Sequence, residues 1–92
     1  SFAQTVGAIR GKVTNPENQP VAGAVVSLEE TEKRAVTDAA GNFAFASIGF
    51  GEYVVIVTSD KYAPQSQNIN VNSNAPIRAD FKLELLTESV EV

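Results

Sequence analysis

Asp38, Gly41 and Asn42 lie close together in "TDAAGNFAF", residues 37 to 45, and are the first residue types here that could do chemistry. Their oxygens could ligate calcium, the glycine could let backbone N–H groups cradle a phosphate, or the group could simply bend a hairpin. Calcium takes roughly six to eight oxygens, usually from several carboxylates, and this loop offers a single carboxylate and a single amide. A tight turn asks for less: an Asp to hold turn N–H groups and a Gly to adopt positive φ without a Cβ clash. The turn reading is preferred, and no metal site is assigned.

Missing residue types narrow the chemistry further. The chain has no cysteine and no histidine, which removes thiolate chemistry, Cys–His pairs, Ser-His-Asp triads and His-bearing zinc sites. Glu29 and Glu30 are adjacent in an expected strand and so face opposite ways, unable to share a substrate. No catalytic residue and no cofactor are expected. An exposed aromatic beside polar neighbours could instead bind a glycan or a protein. Phe50, in "IGFG", and Tyr62 are the candidates, with closure of the core ends as their simpler role.

Bulk properties fit one soluble domain. Of the 92 residues 43% are hydrophobic and 20% charged, and seven Lys and Arg stand against eleven Asp and Glu, for a net charge of −4. The basic residues are scattered singly, which predicts no basic face and no nucleic-acid partner. No run approaches the roughly 20 apolar residues of a membrane-spanning helix, so no insertion of this domain is expected. Ser1 and Ala3 have the small-x-small pattern that ends an export signal, with cleavage before Gln4; a vector-derived leader over residues 1–5 accounts for it equally.

The elements that must position these residues are strands. Apolar residues alternate as Ile9, Gly11 and Val13, then Ala24, Val26 and Leu28, then Phe43 and Phe45. Tyr53, Val55 and Val57 follow, then Ile69 and Val71, then Ile77, Ala79, Phe81, Leu83 and Leu85. Period two marks half-buried strands. A weaker strand is expected at residues 33 to 37. Turn signals separate them: "NPENQP", "AAGN", "IGFG", "YAPQ" and "NSNAP". About seven short strands with frequent turns predict an all-β, antiparallel sandwich over residues 6–85. "YVVIV" is apolar on both sides, so Val54 and Ile56, with Val25, should point outward; they are either strand preference or an apolar docking patch.

"IRGKVTNPENQPVAGAVVSL" followed by "AVTDAAGNFAFASIGFGEYVVIVTSDKYAP" resembles the carboxypeptidase regulatory-like domains. The resemblance rests on Gly11 and Val13, Pro20, Gly23 and Ala24, Val26 and Leu28, Thr37, Asp38, Gly41 and Phe43, and Gly51, Tyr53 and Tyr62. It implies a seven-stranded, transthyretin-like Greek-key sandwich. Many relatives carry proline at the position of Phe50. Collagen-adhesin B-type domains share this layout and can form a Lys–Asn isopeptide bond. Here Lys12 should point outward, Val57 stands where their acid falls, and the last strand offers Asp80 and no inward asparagine, so none is expected. The hydroxyisourate hydrolases of the related fold rely on histidines, which this chain lacks.

Residues 86–92, "LTESVEV", lose the core alternation and read as an extended tail. "TESVEV" resembles the region of the TonB box that leads into the plug of some outer-membrane transporters. Glu88, Ser89, Val90, Glu91 and Val92 form the strand-like part, which could add to a partner's sheet edge. The resemblance thus implies a monomeric, non-catalytic accessory domain at the periplasmic face of the outer membrane. Its expected partners are a TonB-type periplasmic protein or the neighbouring plug domain. The alternatives are an adhesion or spacer module of a bacterial surface protein, and a carbohydrate-binding module of a secreted enzyme.

Overall fold

The computed structural model describes residues 5 to 86. Among them, eight strands form two sheets: β1 (Val6–Thr14), β2 (Val25–Leu28), β3 (Arg34–Val36), β4 (Asn42–Gly49), β5 (Gly51–Ser59), β6 (Tyr62–Val71), β7 (Pro76–Arg78) and β8 (Phe81–Lys82). One sheet runs β4-β1-β7, with β8 also on β1, and the other runs β3-β2-β5-β6. The period-two residues meet between them. Ile9, Val13, Phe43, Phe45, Phe81 and Leu83 come from the first sheet; Val26, Leu28, Val55, Val57, Ile69 and Val71 come from the second. Each fully buried aliphatic side chain contributes about 1.5–3 kcal/mol. The Phe43 ring packs edge-on to Phe45, centroids 6.0 Å apart, and tilted against Phe81 at 6.3 Å.

The last expected strand is divided, and its pairing is not antiparallel. β7 and β8 both run parallel to β1, matching Ile9 with Ile77 and Val13 with Phe81. The linker "NSNA" crosses from β6 to the other sheet at the end where β1 begins, so β7 starts beside the start of β1. At Ala79–Asp80 the strand breaks without losing register. Ala79 N–H donates to Arg10 O at 2.7 Å, and the Asp80 carboxylate accepts from Lys12 N–H at 2.9 Å in place of a backbone carbonyl. Gly11 makes room for this, because a Cβ there would stand 1.9 Å from Ala79 O.

Two other expectations are corrected. "YAPQ" is not a turn: β6 runs through it. Proline is tolerated because β6 is an edge strand and the β5–β6 register slips between Val57 and Ser59, opposite this segment. Leu85 does not face the core; it is 57% exposed. Past Leu83 the chain turns to the start of β6, where Ala63 N–H donates to Glu84 O and Leu86 N–H donates to Lys61 O, both at 2.9 Å. The side chain of Leu85 is left on the rim.

The open side of the sandwich is closed by two glutamines that the alternation pattern does not single out. Gln65 Nε2 donates to Lys82 O at 2.7 Å, and Gln67 Nε2 donates to Asp80 O. These amides tie β6 of one sheet to the β7–β8 segment of the other.

Candidate interaction surfaces

Asp38 spends its carboxylate on the hairpin. One oxygen accepts from Ala40 N–H at 3.0 Å and from Asn42 N–H at 2.9 Å, while Gly41 N–H donates to Asp38 O at 2.8 Å. Gly41 has φ of 81°, and a Cβ there would press on Val13 O at 2.6 Å. The preceding Thr37 is buried and bonds both ways: its hydroxyl accepts from Ala24 N–H at 2.9 Å and donates to Val21 O at 2.6 Å. The stretch is a structural corner. Among the described residues no three His, Cys, Asp or Glu side chains gather as a metal site.

Glu29 and Glu30 stand in the turn after β2, both exposed, with Glu30 at φ of 67°, so the expected strand does not reach them. The scattered basic residues also need correcting. Parallel pairing of β1 with β7 and β8 sets Arg10, Lys12, Arg78 and Lys82 on the outer face of one sheet. Asp80 lies among them, its Oδ1 3.1 Å from Arg78 Nε. Single basic residues on separated strands become neighbours only once the pairing is known.

Phe50 and Tyr62 occupy opposite ends of β5. Phe50 forms the corner between β4 and β5, is 43% exposed, and donates its N–H to Thr5 O at 3.1 Å. Tyr62 follows the far end of β5, half-buried against the core and opposite Ser59. At about 3.3 Å per residue, β5 holds the rings on the order of 30 Å apart, so they cannot share a platform. Tyr62 packs against the core cluster, whereas Phe50 is not among the residues packed against it.

Val25, Val54 and Ile56 share the outer face of the β3-β2-β5-β6 sheet, each half-buried. Val25 pairs directly with Val36, which sequence patterning does not place there and which is 61% exposed. Ile56 faces Ser27, two residues along β2 from Val25, and Val54 is two residues from Ile56 on β5. Four aliphatic side chains are thereby collected on one face. Val25 also borders an open groove with Val21, Gly23, Thr58, Asp60 and Tyr62.

Chain entry and exit are set by the same geometry. Thr5 bonds to Phe50 at one end of β5, and Leu86 bonds to Lys61 at the other. The described segment enters and leaves at opposite ends, on the order of 30 Å apart along the strands. Glu88, Ser89, Val90, Glu91 and Val92, the candidate partner strand, lie outside the described residues.

The family profile described as "Carboxypeptidase regulatory-like domain" matches residues 8–84. No curated protein is significantly similar in sequence. Among solved structures, a chain of a type II cohesin–X–dockerin complex from Acetivibrio cellulolyticus is 21% identical with a TM-score of 0.74, over 86% of this chain and 58% of that one. The minor pilin of Streptococcus agalactiae is 16% identical with a TM-score of 0.73, over 97% and 49%. The major pilin subunit of Bacillus cereus is 24% identical with a TM-score of 0.72, over 84% and 28%. This chain spans less than two thirds of each. At these identities the likeness is one of fold, a prealbumin-like two-sheet sandwich.

Proposed function

The chain belongs to the carboxypeptidase regulatory-like domain family, and from that membership we propose that it is a spacer module within a longer bacterial surface protein. It is a non-catalytic β-sandwich. The observation that carries the reading is the placement of Thr5 and Leu86 at opposite ends of the sandwich. A module entered at one end and left at the other extends the chain by its own length. A module with both ends together would add a side branch instead. The pilins and the cohesin–X–dockerin complex that share its fold are consistent with such a setting. Exchange tests it. Replacing residues 5 to 86 in the parent protein by an unrelated sandwich of equal end-to-end length should preserve the parent's function, whereas deletion should not. Equal loss on exchange and on deletion would sink the reading.

A second reading, the accessory domain of a TonB-dependent outer-membrane transporter, is supported by the sequence "TESVEV" at residues 87 to 92. A strand-adding peptide there would bind the C-terminal domain of a TonB protein. Calorimetric titration of the full chain against that domain, compared with the chain truncated after Leu86, tests it. Absence of binding by the full chain counts against it, as does binding that survives truncation.

A further inference from the structure

We propose that the sandwich is a tension-bearing clamp, in which the terminal strands β1 and β7–β8 resist force by shear. The proposal deepens the spacer reading and takes its biological setting from it. The observation is topological. β1 leads in from Thr5, β7 and β8 lead out to Leu86, and these first and last strands lie side by side and parallel. Tension between the two ends therefore draws β1 and β8 past each other along their length. The bonds joining them lie across the pull and must fail together. Strands whose pulled ends lie at one side would unzip instead, one pair after another.

The bonds across this seam are more than a bare ladder. Ala79 N–H donates to Arg10 O, Leu83 N–H donates to Thr14 O at 2.8 Å, and Lys12 N–H donates to the Asp80 carboxylate. The charged acceptor makes the last of these stronger than a neutral bond. Gly11 lets Ala79 sit against β1 without a gap. From the opposite sheet, Gln65 and Gln67 hold the carbonyls of Lys82 and Asp80, so the outgoing segment is gripped on two sides. Beyond it, residues 84 to 86 pair with residues 61 to 63, again along the direction of pull.

The clamp is tested by pulling single molecules of the full chain. The sequence contains no cysteine, so paired cysteines define the attachment points uniquely. One pair sits at the chain ends; the other is Thr5→Cys with Phe50→Cys, which peels β1 from β4 starting at one end. Terminal pulling should require the higher rupture force at equal loading rate. Asp80→Ala should speed rupture under terminal tension about tenfold, the equivalent of one charge-assisted hydrogen bond. Asp38→Ala removes two hydrogen bonds outside the seam and should leave that force unchanged. Equal forces in the two geometries overturn the proposal, and so do equal effects of the two alanine variants. If Asp80→Ala does not fold, the geometry comparison alone decides, because it leaves Asp80 in place. The measurement uses the isolated chain, so its failure leaves the exchange test of the spacer reading intact.

Discussion

The hydroxyl of Tyr53 donates to the carbonyl of Gly49 at 2.7 Å, spanning the corner that carries Phe50. The strand before this corner belongs to one sheet and the strand after it to the other, so the bond fixes how the chain changes layers. It gives the paired Gly51 and Tyr53 a local reason. Tyr53→Phe keeps the ring packed against the core and deletes only the bond. It should cost about 1 kcal/mol, read as a lower urea midpoint with an unchanged slope.

Thr37 offers a sharper test, since its surroundings are dry. The residue is 4% exposed and its hydroxyl serves Ala24 N–H and Val21 O at once. Thr37→Val is close in shape and strands a buried N–H and a carbonyl. A loss of about 2–3 kcal/mol is expected. Thr37→Ser retains the hydroxyl and should recover most of that, which equilibrium denaturation of the two variants resolves.

The strands were legible because one side of each is buried, and burial writes period two into the sequence. Val26, Leu28, Phe43, Phe45, Val55 and Val57 all lie where alternation puts them. Pairing is a different matter. Nothing in "IRADFKLEL" distinguishes a strand added antiparallel from one added parallel, since side-chain alternation is the same in both. The clustering of Arg10 with Arg78 depends on that pairing, and so it was hidden too. Pro64 has the look of a turn residue for a physical reason: proline breaks a central ladder, yet it is harmless on the edge strand it occupies. Of the candidate contacts, the outward direction of Val25, Val54 and Ile56 could be read from alternation. The addition of Val36 required the β2–β3 register.

Gly11 is where packing leaves least room. A methyl group there would stand 1.9 Å from Ala79 O and 2.6 Å from the Phe43 ring, with backbone on one side. β1 and the β7–β8 segment would have to separate at the seam. Gly11→Ala should destabilise by 3 kcal/mol or more, at or above the usual range for an overpacked core, about 1–3 kcal/mol. Thermal unfolding should show a lower Tm. Hydrogen exchange should show the loss of protection concentrated at the N–H groups of Ala79 and Leu83, which donate across that seam.

Phe50 separates a structural role from a contact role. It is 43% exposed and absent from the buried cluster that contains Phe43 and Phe45. Phe45→Ala should cost about 3–5 kcal/mol, as for other buried aromatics. Phe50→Ala should cost less than about 1 kcal/mol, leaving the fold available for a binding measurement. Phe50 is an exposed aromatic at a chain corner beside Thr5, so under the spacer reading it lies on the side where an adjoining domain would be met. The measurement is the affinity of the full chain for the neighbouring domain of its parent protein. Binding weakened by Phe50→Ala at unchanged stability assigns the contact to this ring. Unchanged binding leaves Phe50 as an incidental exposed side chain and makes the face of Val25, Val36, Val54 and Ile56 the next to be tested.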